Sequence, residues 1–235
     1  MSPPIAPDDR VLLVTGASSG IGLATARAAS AAGYRVALAA RRAELVRAAA
    51  EELGGPERAI GLACDVSRWE DQQAMVAATL EAFGRIDGVY ANAGAFIEPG
   101  WETGTPEEWA AMTLTNVLGP ALTARAALPA LRETKGRFLL TSSRAARFMV
   151  KGSFYACTKA AVTAMGEALR LELNDTGVGV TIIEPGWVRT AMEVPGLPEE
   201  IVEAEDIARA VLYVLEQPRW VDVSQMLIRA MDQPV

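Results

Sequence analysis

Tyr155 and Lys159 stand one helical turn apart in Tyr155-Ala156-Cys157-Thr158-Lys159, in a chain that contains no histidine. The absence sharpens the pair. Without imidazole there is no Ser-His-Asp triad, no imidazole base and none of the common histidine-containing zinc sites. Acid–base chemistry therefore falls to Tyr, Lys, Asp, Glu or Cys. A free phenol has a pKa of about 10 and is a poor base at neutral pH. A lysine at i+4 lies on the same helical face, and its ammonium favours the phenolate. Ser142 and Ser143 close an apolar run just upstream. Successive strand residues point to opposite faces, so only one of the two hydroxyls can face the same site.

A second group of residues can hold a phosphate. Thr15-Gly16-Ala17-Ser18-Ser19-Gly20-Ile21-Gly22 follows an apolar run and opens a helical pattern. Glycines at a strand-to-helix turn at the start of an alternating fold are the setting of a dinucleotide-binding loop. Gly16 and Gly20 let the backbone turn tightly and approach a diphosphate, while the next helix presents free N–H groups and the positive end of its dipole. The plain alternative is a structural turn that uses glycine for its backbone freedom. No lysine follows the glycines, so this is not the loop of a nucleoside triphosphatase.

The second apolar run ends at Ala40, followed by Arg41 and Arg42. An NAD-selective domain places a carboxylate near this point for the ribose 2′-hydroxyl. Ala40 leaves room for a 2′-phosphate, and Arg41, with Arg42 beside it, can pair with it through charge-assisted bonds. An exposed basic helix start is the competing reading, weakened because cations there oppose the dipole. The expected cofactor is NADPH or NADP in preference to NAD. An oxidised nicotinamide would favour the Tyr155 phenolate further.

The elements that must position these residues are legible as short apolar runs alternating with Ala-rich amphipathic stretches. Strands are expected at Val11–Thr15, Arg35–Ala40, Ala59–Cys64, Ile86–Ala91, Gly136–Ser142, Gly179–Ile183 and Val221–Ile228. Helices are expected at Gly20–Ala32, Arg42–Leu53, Arg68–Phe83, Pro106–Arg132, Ser153–Thr176 and Ala204–Gln217. Gly33, Gly54 and Gly84 stop helices, and Thr105-Pro106-Glu107-Glu108 starts one. Near-continuous apolar strands fit a parallel sheet covered on both faces. The fold expected is α/β: a Rossmann-type, doubly wound parallel sheet of about seven strands with helices on both faces. Residues 1–9 read as a loose polar arm and 10–235 as one domain. Pro120 follows Asn116 by four residues and has no N–H to give its carbonyl, so the long helix should kink there and leave that carbonyl to a water.

Composition excludes other classes. The formal charge of −7 argues against a nucleic-acid surface. No apolar run reaches the roughly 20 residues that cross a bilayer, and the start does not read as a secretory signal. Cys64 and Cys157 form no framework, and a cytoplasmic location with reduced thiols is expected. No metal site is expected.

Together these motifs resemble the compact, single-domain branch of the short-chain dehydrogenase/reductase family over about residues 10–230. They are Thr15-Gly16-x-x-x-Gly20-Ile21-Gly22, Asp65-Val66, Asn92-Ala93-Gly94, Asn116, Ser143, Tyr155-x-x-x-Lys159 and Pro185-Gly186. The resemblance implies hydride transfer between a nicotinamide and a small carbonyl or alcohol, such as a ketone, an aldehyde or a hydroxy acid. It makes Tyr155 the general acid in reduction and base in oxidation. Lys159 lowers its pKa and holds the nicotinamide ribose, and the Asn116 carbonyl holds a water in a relay to Lys159. Ser143 orients the substrate oxygen and is preferred to Ser142, although its loop to Tyr155 is one residue short against many relatives. Around the cofactor the resemblance sets Ser18 and Ser19 in the loop, Asp65 and Val66 at the adenine, and Asn92, Ala93 and Gly94 on the adenosine ribose side. Pro185, Gly186, Val188 and Thr190 flank the nicotinamide. Self-association to a dimer or tetramer through the two long helices is implied as well.

Some residues depart from the family pattern. Ala91 replaces a usual Asn. Arg144, Arg147 and Lys151 occupy the loop between Ser143 and Tyr155. They could select an anionic substrate, lie solvated, or meet a neighbouring subunit. Phe96, Phe148, Met149, Trp187, Met192, Val194, Pro195, Leu197 and Pro198 could line the pocket or simply pack. The stretch Trp220–Arg229 resembles a subgroup with reductases of short hydroxy acids and aldehydes. Two other functions stay open: an NADP-binding regulatory protein without turnover, and an epimerase-type member of the wider superfamily.

Overall fold

The computed structural model describes residues 10–97, 100–148, 151–190 and 200–233. The N-terminal arm and the candidate pocket residues Met149, Met192, Val194, Pro195, Leu197 and Pro198 lie outside them.

Alternation of side chains along each apolar run builds the two layers of core. On β1 (Val11–Thr15), Leu12 and Val14 face one layer and Leu13 the other. The chain continues through α1 (Gly20–Ala31), β2 (Arg35–Ala40), α2 (Ala43–Glu52), β3 (Ala59–Ala63), α3 (Trp69–Phe83) and β4 (Gly88–Ala91). Then come α4 (Pro106–Thr113), α5 (Gly119–Thr134), β5 (Arg137–Thr141), α6 (Phe154–Leu173) and β6 (Gly179–Pro185). Two short strands, β7 (Val188–Arg189) and β8 (Val202–Glu203), precede α7 (Ala204–Glu216) and β9 (Gln225–Ile228). The main sheet has seven parallel strands in the order β3-β2-β1-β4-β5-β6-β9. Ala26 and Ala29 of α1, Val46 of α2 and Val211 of α7 pack on one face. Met75 of α3, Ala127 and Leu131 of α5, and Val162 of α6 pack on the other.

The order reverses between β1 and β4, and at such a switch point a crevice opens beyond the carboxyl ends of the strands. Thr15, Ala40, Ala91, Thr141 and Pro185 end their strands on that one edge.

Besides shifts of up to three residues at the ends of several elements, among them β4, β6 and α6, the structure differs from the sequence expectation in three larger ways. The helix expected over Pro106–Arg132 is split by a π-helical turn at Leu114–Leu118, closed by Gly119 N–H donating to the Leu114 carbonyl. The wider turn lies where Pro120 withholds its N–H, so the kink expected at Asn116 takes the form of a π turn. The last strand starts at Gln225 rather than Val221. The buried Arg137 guanidinium accounts for this: its Nη2 takes the carbonyls of Pro218 and Val221, both at 2.9 Å, turning that segment away from the sheet. The parallel pair β7 and β8, two residues each, carries no alternation long enough to read.

Gln72 joins α3 to the start of α5, just past the π turn, from inside the core. Its Nε2 donates to Val66 O (2.8 Å), Gly119 O (3.2 Å) and Thr123 Oγ1 (3.0 Å). Val66 and Gly119 are in close contact, since a Cβ on Gly119 would lie 2.9 Å from Val66 Cγ2. Gln72→Leu removes this donor from the buried Val66 carbonyl, while Gly119 O keeps the Thr123 hydroxyl at 2.9 Å, and should cost about 2 kcal/mol. For a chain of this size the expected loss in Tm is about 4–8 °C, measured by thermal denaturation against wild type; an unchanged Tm would show that the contact contributes nothing.

Candidate active site

Lys159 lies at the heart of the cleft because α6 starts where β5 ends. The lysine is 3% exposed, and its Nζ donates to the carbonyl of Thr141 at 2.8 Å. The same nitrogen stands 5.6 Å from the centre of the Tyr155 ring. Phe96 meets that ring edge-on at 5.0 Å. The beginning of α6 is fixed by Ser153, whose hydroxyl accepts from the Ala156 N–H.

The two serines separate as strand alternation requires. Ser142 turns into α6, where its Oγ meets the Lys159 carbonyl at 2.9 Å and Thr163 Oγ1 at 2.7 Å. Ser143 turns toward Tyr155, and its hydroxyl accepts from the Ala145 N–H at 3.1 Å. The roles of structural clamp and site hydroxyl therefore fall on different residues of the pair.

Burial sets the protonation of the site. It pushes Tyr155 up to about 12, opposed only in part by its hydrogen bond with Ser143. It pushes Lys159 down to about 8. The sequence reading expected the ammonium to draw Tyr155 downward. Instead, removal of both groups from water dominates, so the phenol carries its proton at neutral pH while the lysine is largely charged. Cys64 also lines the cleft, but burial raises its thiol to about 12, so it supplies no thiolate at neutral pH.

The cleft has a volume of about 920 Å³ and runs from this group to the glycine loop. Gly16 has φ +68°, and a Cβ there would sit 2.7 Å from Ala93 Cα, so the loop crosses the end of β4 in backbone contact. Thr15 ties the crossing: its Oγ1 accepts from Asn92 N (3.1 Å) and Ala93 N (3.2 Å), and its carbonyl accepts from Asn92 Nδ2 (3.1 Å). At the start of α1, Ser19 forms no side-chain cap, which leaves first-turn N–H groups for an anion. These features fit the diphosphate of a dinucleotide.

At the far end, Ala40, Arg41, Arg42, Asp65 and Val66 form one corner. Arg42 Nη2 donates to Ser18 Oγ (2.9 Å) and Ser19 Oγ (3.1 Å), placing a cation and two hydroxyls side by side. The Asp65 carboxylate accepts from Ser67 Oγ at 2.7 Å and Ser67 N at 3.0 Å. The Ser67 hydroxyl holds it below its usual pKa, with Arg41 contributing in the same direction. Gly94, Pro185, Gly186, Val188 and Thr190 line the cleft as well, and Thr190 lies against the glycine loop, since a Cβ on Gly20 would sit 3.2 Å from its Cγ2. A Cβ on Gly94 would lie 3.4 Å from Lys159 Nζ.

Of the residues expected in the site, Gly22 and Asn116 do not line the cleft. Gly22 is a packing glycine, whose added Cβ would lie 2.4 Å from the Gly16 carbonyl oxygen. The Asn116 side chain is spent on structure: Oδ1 accepts from Ala95 N (2.7 Å), and Nδ2 donates to Ala95 O (2.9 Å) and Thr158 Oγ1 (3.0 Å). Arg147 is bound to the fully buried Glu184 at 2.5 Å and to Gln225, which accounts for it without a substrate. Arg144 lines the cleft, with its guanidinium 5.1 Å from the Phe148 ring centre. Phe96 and Trp187 line it too. Some contributors escaped the sequence reading, which used Thr15 only as the first residue of the glycine motif. The tie that the Thr15 hydroxyl makes to the end of β4 and the carbonyl that Thr141 gives to Lys159 are contacts between strand ends, which no spacing reports, and Gln233 comes from the far end of the chain.

Residues 10–200 match the family model for short chain dehydrogenase. An uncharacterised oxidoreductase of Staphylococcus aureus (strain USA300) is 36% identical over 225 residues, covering 94% of this chain and 97% of its own. An alcohol dehydrogenase from the archaeon Thermococcus sibiricus, solved in complex with 5-hydroxy-NADP, is 34% identical with a TM-score of 0.89, covering 96% of this chain and 98% of its own. A 3-ketoacyl-(acyl-carrier-protein) reductase from Brucella melitensis, solved with NADH, is 25% identical with a TM-score of 0.85, covering 93% of this chain and 96% of its own. With a matching family model over most of its length and the parallel sheet those structures share, the chain belongs to the short-chain dehydrogenase/reductase family of oxidoreductases.

Proposed function

We propose that the protein is an NADP(H)-dependent oxidoreductase that reduces a small carbonyl compound to its alcohol. The observation that carries the chemistry is the buried cluster of Tyr155, Lys159 and Ser143 at the closed end of the cleft. When bound, the nicotinamide supplies the hydride. Tyr155 holds the proton that the carbonyl oxygen needs, and its raised pKa keeps that proton in place at neutral pH. Ser143 orients the same oxygen, and Lys159 keeps a positive charge beside the phenol while the Thr141 carbonyl fixes its position. The Asn116 carbonyl, which Pro120 cannot supply with an N–H, is the group offered for the relay water to Lys159.

For the cofactor, Gly16, Ser18, Ser19, Gly20 and Ile21 hold the diphosphate, Asp65 and Val66 the adenine, and Asn92 to Gly94 the adenosine ribose side. Pro185, Gly186, Val188 and Thr190 flank the nicotinamide. Choice of NADP(H) rests on Arg41 and Arg42 beside Ala40, with the Asp65 carboxylate already engaged by Ser67. A groove between α5 and α6, lined by Ala121, Ala124, Leu128, Met165 and Leu169, supports self-association to a dimer or tetramer. Two free cysteines support a cytoplasmic home.

The test of cofactor choice is NADPH and NADH oxidation across aldehydes, ketones and 3-oxo acids, in wild type and Arg41→Ala. A lost charge-assisted contact predicts a fall in kcat/KM for NADPH of about tenfold or more, with NADH affected far less. An unchanged cofactor preference would remove Arg41 from the account.

The pH profile tests the lysine. A buried amine with its pKa lowered to about 8 is charged below that pH and neutral above it. Reduction should therefore be level on the acid side and decline as pH rises through about 8, because Tyr155, raised to about 12, keeps its proton throughout that range. Lys159→Met should be slow and show no such limb, and a limb that persists in that variant would assign it to another group.

A further inference from the structure

A carboxylate with no exposed surface, Glu184, lies next to Pro185 at the end of β6. Ile182, two residues earlier, belongs to the core layer under α6, so Glu184 faces α6 as well. Its two oxygens serve different segments. Oε2 accepts from Arg147 Nε at 2.5 Å, and Oε1 accepts from Thr163 Oγ1 of α6 at 3.4 Å. Arg147 Nη2 donates to Gln225 Oε1 on β9, and Gln225 Nε2 donates to Glu167 Oε1 of α6 at 2.7 Å. The Arg147 guanidinium is thus held from β6 and β9 at once.

Arg147 ends the turn that sets the Ser143 hydroxyl. The ladder between β5 and β6 stops at Thr141 and Ile183, with Ser142 N–H still donating to the Ile183 carbonyl at 2.8 Å. Ser143 stands just past it and starts a 3-10 turn, Arg144–Ala146. Ala145 N–H donates to Ser143 Oγ at 3.1 Å, and Arg147 N–H donates to the Arg144 carbonyl at 3.0 Å. The bond from Ala145 occupies one lone pair of the hydroxyl and so limits where its proton can point. That proton's contact with the Pro185 carbonyl is long, 3.4 Å, and yields to a better acceptor such as a substrate oxygen. The aim of Ser143 therefore depends on where the turn sits against β6, and the Arg147–Glu184 pair sets that.

A buried ion pair is a poor way to hold a fold. Apolar side chains of similar volume often do so as well or better, because the charges must give up their water. What the pair adds is direction. Guanidinium N–H groups point in a fixed plane, so the bond from Nε to Oε2 sets the orientation of the turn as well as its distance.

We propose that Glu184 and Arg147 are positioning residues: the Glu184 carboxylate holds the turn after Ser143 through Arg147, and the turn aims the Ser143 hydroxyl at the oxygen of the carbonyl being reduced. This rests on the oxidoreductase reading of the same cleft.

Glu184→Gln combined with Arg147→Met removes both charges and leaves no buried carboxylate alone. The combination is made in wild type and in Ser143→Ala, and NADPH oxidation is followed with 2,3-butanedione, butanal and acetoacetate. With Ser143 present, kcat should fall about tenfold or more, the scale of a displaced orienting group, while KM for the carbonyl and NADPH affinity stay within about twofold. In Ser143→Ala the same combination should change the residual kcat by less than about twofold, because the hydroxyl it aims is gone. An unchanged kcat in the first case, or an equal fall in the second, would make the pair a structural strut and overturn the proposal. So would a loss confined to NADPH affinity. If the charge-free combination does not fold, Arg147→Lys, which keeps Glu184 paired through one ammonium, goes through the same comparison with the same outcomes deciding. An active wild type with equal losses in both backgrounds refutes the positioning role alone. A wild type that reduces none of the three carbonyls refutes the oxidoreductase reading and the positioning role with it.

Discussion

Burying the Lys159 ammonium is the constraint around which the rest of the molecule is arranged. A charge removed from water needs partners at hydrogen-bond distance, and here the Thr141 carbonyl at the end of β5 provides one. That contact exists only if α6 begins next to the end of β5. The Ser142 hydroxyl secures this by bonding to the Lys159 carbonyl and to Thr163. Further along, Gly166 lets α6 settle onto β6, since a Cβ there would lie 2.5 Å from Ile182 Cγ1. The helix, the strand end and the lysine are one mechanical unit. Tyr155, one turn before Lys159, inherits its place from it.

The other end of the cleft answers to a different constraint, the close passage of backbone over backbone. Gly16 crosses Ala93 at a distance that no side chain allows, and the Thr15 hydroxyl at the end of β1 accepts from Asn92 N and Ala93 N just past β4. This brings the uncapped start of α1 to the switch point between β1 and β4. Anion-binding groups and acid–base groups therefore face one cleft from opposite ends. Charge follows the same division: Arg41 and Arg42 with Asp65 at one end, Lys159 and Arg144 at the other.

Much of this was legible in the sequence because it is local. β1 and β2 have the bounds their apolar runs predict. The glycine loop and the i+4 pair are each readable within a few residues, since a turn of fixed chirality and a helical face are short-range facts. The proline argument located the break near Asn116 but not its π-helical form, in which Gly119 N–H reaches back five residues to the Leu114 carbonyl. What the sequence could not show arises between distant segments. Arg147 reads as a free cation until Glu184 is folded beneath it. The direction of the Tyr155 shift follows from burial, which no spacing reports, so the expected effect of the ammonium was outweighed. Gln233 carries no motif and reaches the cleft only because β9 joins the sheet next to β6.

The central claim is that the Tyr155 proton completes the reduction, and the direct measurement is NADPH consumption by Tyr155→Phe beside wild type, with NADPH affinity measured in both. Phenylalanine keeps the ring and its contact with Phe96 and removes only the hydroxyl. The account predicts NADPH binding within about threefold of wild type and turnover reduced by about a hundredfold or more, the scale of a lost general acid. Turnover in the variant equal to that of wild type would contradict it.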